Sequence, residues 1–321
     1  MSDDLLDRIP EACAEVAERA RWVHIDEGGF EKWVDTLASP ASPAAAQADP
    51  AHHFRGDARS TLAYVVTLDA INFGSGWFPE LRKRERKSGY FVIAGGLSRH
   101  FEKRGPWSAV ELRRIDAARC AEVFGQEGNE GVRALMDLFA RALNDLGAWL
   151  VTRFGGSFAR AVEAADGRAA RLVDLLAEMP LYRDVSRYQE LEVPFYKRAQ
   201  ITASDLDLAL RGEGLGRFED LERLTIFADN LVPHVLRCDG VLRYEADLAS
   251  RIERHALLAP GSPEEVEIRA VALHAVQRAV EALRDRGVAS SARRLDTLLW
   301  SRGQRSEIKA HPRHRARCAC Y

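Results

Sequence analysis

The sequence predicts a mainly α-helical protein, a multi-helix bundle with few short strands. Three observations carry that prediction. Apolar residues recur at helical spacing through most of the chain, and no region is rich in strand-forming alternation. Charged residues, 29% of the chain, are interleaved with apolar ones as on helical surfaces. No internal repeat period is present. With 321 residues, 46% of them hydrophobic, the chain can bury a large core or two lobes that share one.

Residues 5–23 read as a first helix with Leu5, Leu6, Ile9, Ala12, Cys13, Val16 and Ala20 at its apolar positions. VHIDEGGF (23–30) is expected to break it, with Gly28-Gly29 as a turn, before Trp33, Val34 and Leu37 open a second helix. SPASPAAAQADP (39–50) reads as a Pro/Ala/Ser linker. The chain therefore divides into an N-terminal helical segment and linker (1–50) and a helical domain (51–321). That domain is single or built of two helical lobes with a site between them.

AHHFRGD (51–57) is a polar loop with adjacent histidines, His52 and His53. Residues 60–79 place Tyr64, Val65, Leu68, Ile71 and Asn72 on one helical face, and Gly74-Ser75-Gly76 ends the run. Asp69 and Asn72 are polar groups in this apolar stretch and require hydrogen bonds. LRKRERKSG (81–89) reads as a solvated basic loop or hairpin, since no aromatics interleave its charges. Helices are expected at 89–105, 108–124, 130–154 and 157–179, with FGGSF (154–158) as a stop and a serine cap. Residues 182–200 look irregular, and a helix then runs from YKRAQ to the glycine-rich turn at Gly212, Gly214 and Gly216. Helices at 245–258, 263–286 and 293–309 complete the chain, the second opened by Ser262-Pro263-Glu264-Glu265. Only 69–73, 90–94 and 241–244 have the character of short strands.

A net charge of −2 gives no overall positive field to draw nucleic acid or membrane. Five scattered cysteines (Cys13, Cys120, Cys238, Cys318, Cys320) suggest reduced thiols in a cytoplasmic protein. Cys318-x-Cys320 lacks a companion ligand pair, so no metal is expected. The N-terminus MSDDLLDRIPEACAEV lacks the basic and apolar regions of a signal peptide, and no apolar run approaches ~20 residues.

The stretch from Gly212 to Tyr244 organises the chemistry. Phe227-Ala228-Asp229-Asn230 stands between an apolar segment (Leu221, Leu224, Ile226) and Pro233. A carboxylate there is poorly placed for free solvation and needs a partner. Asp229 is either a helix cap or a reactive group, and the two roles can coexist. Without further information, Phe227 suits a core position, and Asp296 suits a cap on the last helix. Lys197 and Arg198 suit a helix start facing solvent or a structural acid, and Trp300 suits packing. Arg313, Arg315 and Arg317 suit partners for acids on neighbouring helices.

Several segments together resemble one known family. VHIDEGG, TLDAINF, FGGSF, YRD, FYKRAQI, FEDLERLTIFAD followed by Pro233 and Val235-Leu236, EVEIR and the terminal HRARC with Tyr321 are similar to the queuosine salvage proteins. These are N-glycosylases/hydrolases that release queuine from queuosine 5′-phosphate. The correspondence runs in order from about residue 23 to Tyr321. It implies a fold resembling the helix-hairpin-helix DNA glycosylases, with a different substrate, no cofactor and a small-molecule partner. It also implies that Phe227 stacks on substrate and Asp229 lies near the ribose. Asp296, with Thr297 and Ser301 alongside, would bind the base or its side arm, and His52 or His53 would face substrate. Some relatives carry an acid where this chain has Ser301.

The chemistry suits these residue types. Breaking an N-glycosidic bond builds positive charge on C1′ and O4′, which a carboxylate stabilises. Queuine is a 7-deazapurine without the N7 that other purine hydrolases protonate, so help for the leaving base must come from other edges. Its side arm carries a cationic amine and a diol, suited to Asp296 and to hydroxyls such as Ser301. Lys197 with Arg198 is the nearest cationic pair for the 5′-phosphate. The alternative is a helix-hairpin-helix-type protein that binds or excises bases from tRNA or DNA. Such a binder should show an extended basic face. The basic residues here are dispersed outside 81–87 and 311–317.

Overall fold

A computed structural model of the chain describes residues 4–39, 53–83 and 88–321. His52, nearly all of the 39–50 linker and part of the 81–87 basic stretch lie outside the described residues. The structure is mainly helical, with three two-stranded pairings among the described residues. It divides into two compact units. The first comprises the described parts of Met1–Gln47, Asp184–Lys197 and Asp220–Arg317; the second comprises those of Ala48–Arg183, Arg198–Glu219 and Cys318–Tyr321.

In the first unit, helix Leu5–Arg19 packs along the long helix Pro263–Asp285. Its buried stripe is Leu6, Ile9, Cys13 and Val16, a spacing of three and four residues that follows the helical repeat. This helix ends earlier than the apolar pattern suggests, because Val23–Ile25 pairs antiparallel with Leu242–Tyr244. The turn between is fixed by Glu267 of the long helix. Its buried carboxylate accepts from the backbone N–H groups of Arg21, Trp22 and Val23 and from the Tyr188 hydroxyl. Four donors replace the water that a buried charge loses.

Gly28-Gly29 is not the expected turn. Both residues lie in the first turn of helix Glu27–Ala38, which Asp26 caps by accepting from Gly29 N–H. Glycine is required at 29 for another reason: a Cβ there would stand 1.9 Å from the Gly240 carbonyl oxygen. The expected irregular region 182–200 contains an antiparallel hairpin, Val185–Tyr188 with Leu191–Pro194. Its two-residue turn places Gln189 at φ 54°, a left-handed conformation. Of the three expected strands, 241–244 is found as Leu242–Tyr244. Residues 90–94 lie inside helix Gly89–Arg104, and 69–73 covers the end of helix Ala58–Ala70 and the turn beyond it.

Helix Pro263–Asp285 starts as expected, with the Ser262 side chain accepting from Glu265 N–H. The helix expected at 245–258 stops at Glu253, and Leu257–Leu258 pairs in parallel with Arg315–Ala316. The last helix is two, Ala292–Arg302 and Ser306–Lys309.

In the second unit, helix Arg133–Phe154 is central. Helices Ala58–Ala70, Ala109–Leu112, Ala117–Phe124 and Phe158–Glu163 pack on it. The helix expected over 108–124 is broken in two, because Ser108 and Asp116 each cap a separate start. Ser157 caps as expected, but that helix also divides, into Phe158–Glu163 and Ala169–Leu176. Asn72 donates to Asp69 Oδ1 at 3.2 Å, which gives one oxygen of that buried acid a partner. No helix among the described residues is long and apolar enough to cross a membrane.

Candidate active site

The segment Ile226–Asn230 lies outside helix and strand, is tightly turned at Phe227, and is held at every residue from 227 to 230. Ala228 N–H donates back to the Ile226 carbonyl across Phe227. Phe227 N–H donates to Asp296 Oδ1 at 2.8 Å. The Ala228 carbonyl accepts from Arg269 Nε at 2.9 Å. The Asn230 side-chain amide donates to the His314 carbonyl at 3.2 Å, which brings the C-terminal segment alongside.

Asp229 is half-buried. Its Oδ1 accepts from Leu231 N–H at 2.6 Å and from Val232 N–H at 3.2 Å, at the start of helix Val232–Cys238. Its Oδ2 accepts no hydrogen bond among the described residues. One carboxylate oxygen is therefore held by the backbone N–H groups of Leu231, the N-cap of that helix, and Val232, its first residue, and Asp229 is not itself the N-cap. Arg313 lies within electrostatic reach. Burial pushes its guanidinium below the usual range, and the Asp229 charge acts in the opposite direction.

Asp296 sits inside helix Ala292–Arg302, whose cap is Ser291, so the plain capping role does not describe it. Its carboxylate is buried and holds the Phe227 backbone. Thr297 and Ser301 share a neighbouring stripe of the same helix. Each hydroxyl donates to the carbonyl four residues earlier, Thr297 to Arg293 and Ser301 to Thr297, which leaves the hydroxyl lone pairs as acceptors. Trp300 is half-buried on the same helix. Gly303 lets the helix end approach: a Cβ there would meet Leu231 at 2.7 Å. Phe227 itself is 5% exposed, so its ring is mostly packed.

Lys197 is buried in the first unit, and its backbone N–H donates to Asp184 Oδ2 at 3.1 Å. Arg198 is buried in the second unit and does not face solvent or lie as an open cation. Its guanidinium donates to the carbonyls of Ala70 and Leu181 and lies over the rings of Phe73 and Tyr182. That arrangement makes Arg198 a tie within its unit. His53, in the second unit, shares a 2.7 Å hydrogen bond with the Tyr90 hydroxyl. His52 is outside the described residues.

Two residues tied to this segment escaped the sequence analysis, Asp184 and Arg269. Both lie in segments that carried the resemblance, YRD and EVEIR, without a role attached. The available signal was an arginine among apolar residues of a helix, which demands a buried acid. A cavity of about 250 Å³ lined by Leu37, Leu283, Val288, Arg294, Leu295 and Leu298 contains none of the candidates. Among the described residues no group of three or more His, Cys, Asp and Glu is placed to hold a metal ion.

Residues 52–321 match the profile of the queuosine salvage protein family. The chain belongs to this family. A relative from Sphaerobacter thermophilus, named queuosine 5′-phosphate N-glycosylase/hydrolase, is 40% identical over 316 residues, 95% of each chain. Relatives of the same name from Mus musculus and Bos taurus are 31% and 28% identical, over 95% of this chain and 96% of theirs. The family match covers all of the candidate residues, from His52 to Ser301.

Proposed function

We propose that this protein is an N-glycosyl hydrolase that cleaves queuosine 5′-monophosphate to queuine and ribose 5-phosphate. The observation that carries the mechanism is the division of labour in Asp229. One oxygen is fixed by two backbone N–H groups, and the other accepts no hydrogen bond among the described residues. A carboxylate held in this way is preorganised for charge that develops only in the transition state.

In the reaction the C1′–N bond breaks, its electron pair leaves with the base, and water supplies the hydroxyl at C1′ and the proton that the base takes. Asp229 Oδ2 stabilises the positive charge on C1′ and O4′ and orients that water. Phe227 forms an apolar wall at the base, touched at its exposed rim. Asp296 holds Phe227 and meets the cationic side-arm amine, with Thr297 and Ser301 accepting from the diol. The family resemblance adds His52 or His53 as a further residue for substrate. Lys197 contributes positive charge for the 5′-phosphate. Arg198 leaves that role, because its guanidinium is engaged by carbonyls and aromatic rings.

The relatives that share 95% of this chain are named for this substrate, which supports the choice. The net charge of −2 disfavours a polynucleotide as substrate. Incubating the protein with queuosine 5′-monophosphate and following queuine by mass spectrometry tests the proposal. Release of queuine is expected, with intact tRNA inert. No queuine from a folded preparation defeats it.

A further inference from the structure

We propose that Arg269, paired with Asp184, is a positioning residue that sets the Asp229 segment and Lys197 relative to one another. This inference rests on the function proposed above for those two groups. Arg269 Nη1 and Nη2 donate to Asp184 Oδ1 and Oδ2 at 2.9 and 2.6 Å, while Nε donates to the Ala228 carbonyl at 2.9 Å. The guanidinium lies 3.9 Å from the Phe195 ring centroid, and Glu265 Oε1 is 3.9 Å from Nη1. Arg269 is 1% exposed and Asp184 is 2% exposed. Only a planar fork can serve a carboxylate on one edge and a carbonyl on another in this way.

Asp184 carries the link onward. Its Oδ2 accepts from Lys197 N–H, and its own carbonyl accepts from the N–H groups of Phe195 and Tyr196, at 2.9 and 3.3 Å. Tyr196 stands at φ 47°, a left-handed conformation that a tyrosine adopts at a cost. The residue is strained, precedes the candidate phosphate cation, and is held on both sides by Asp184. The pair therefore connects the backbone next to the catalytic carboxylate with the backbone at Lys197. A shift in this link moves Asp229 against the ribose of a substrate held by its phosphate. A misplacement of ~1 Å at that distance costs about 100-fold in rate.

The test uses Arg269→Lys, which keeps the charge and loses the fork. The double variant Arg269→Gln/Asp184→Asn keeps a neutral hydrogen-bonded pair should the single variant fail to fold. Expected for the folded variant is a kcat on queuosine 5′-monophosphate lowered by about 10–100-fold per folded molecule, with KM changed less than threefold. Its advantage for the 5′-phosphate over the free nucleoside should shrink. Hydrogen exchange followed by mass spectrometry supplies a readout independent of turnover. Peptides covering 226–232 and 195–198 should exchange faster in the variant, and peptides of helix Leu5–Arg19 should not. A folded variant with wild-type kcat, or with unchanged exchange in those two peptides, overturns the positioning role. Fast exchange of both peptides in the wild-type protein overturns it as well. An inactive wild type with the expected exchange pattern instead removes the proposed function and leaves the link standing.

Discussion

The Phe227 backbone N–H donates to the buried carboxylate of Asp296 at 2.8 Å, across 69 residues of sequence. The acid assigned to the side arm is therefore also a support for the segment that carries Asp229. Asp296→Asn retains an acceptor for Phe227 and loses the charge; Asp296→Ala loses both.

The Asn variant should raise KM for queuosine 5′-monophosphate by about 10-fold or more, the worth of one charge-assisted contact of ~1.5–3 kcal/mol, and leave kcat nearly intact. The Ala variant should lower kcat as well, because the Phe227 amide loses its partner. A 7-deazaguanosine phosphate without the side arm should respond to Ala and hardly to Asn. Steady-state kinetics on both substrates decides this, and equal sensitivity of the two substrates to Asn removes the side-arm contact.

Asp229→Asn keeps an acceptor for Leu231 and Val232 N–H while removing the negative charge. Turnover should drop by at least ~10²-fold with the melting temperature almost unchanged, since the asparagine oxygen still accepts from both N–H groups. Asp229→Ala should lose about 1 kcal/mol of stability in addition. Single-turnover rates beside thermal melts separate the two roles. Near-wild-type turnover in the Asn variant would show that Asp229 only holds the backbone.

Much of this arrangement was legible in the sequence. Helical periodicity located the long helices, because their burial follows the 3.6-residue repeat, as at Leu6, Ile9, Cys13 and Val16. Serine caps at 157 and 262 were readable from local chemistry. The hairpin at 185–194 was not. Its turn is Gln189-Glu190 instead of an Asn-Gly or Gly-containing pair, and its strands are four residues long. Gly28-Gly29 misled because glycine pairs usually mark turns, whereas here Gly29 answers a close approach from Gly240, more than 200 residues away. In the site, Asp229 stood out as an acid between an apolar segment and Pro233, whereas Asp296 entered only through the family resemblance. The Arg269–Asp184 pair joins residues 85 apart: an arginine among apolar helix residues signals the need for an acid, but nothing local says which acid answers it.

Arg198 offers a sharp contrast with Lys197. Arg198→Ala removes donors from the Ala70 and Leu181 carbonyls and the cation from above Phe73 and Tyr182. Stability should fall by about 2–4 kcal/mol, read by urea denaturation. The preference for the 5′-phosphate over the nucleoside should stay as in the wild type, measured on the folded fraction. A selective loss of the phosphate preference would return Arg198 to the phosphate site.

Acid should destabilise the protein through its buried histidines. Burial pushes His100 and His234 down to about 4 and His314 down to about 3. Neighbouring arginines add to this: Arg119 and Arg104 at His100, Arg313 and Arg237 at His234, Arg269 and Arg313 at His314. At His234 the opposing influence is the Ile308 carbonyl, 3.0 Å from Nε2. The folded protein thus keeps these imidazoles neutral where the unfolded chain, with pKa values of about 6.5, already binds protons. The sign follows from that difference. Above pH ~6.5 the three groups leave stability unchanged, and below it the unfolded state gains protons that the native state refuses. Stability should fall as pH drops from ~6.5 toward 4, by up to about 1.4 kcal/mol per pH unit for each histidine. Urea denaturation between pH 7.5 and pH 5 measures the slope, a window in which ordinary carboxylates contribute little. His234→Asn should flatten it by about one proton. A stability independent of pH across this window would mean that the histidines titrate normally in the folded protein.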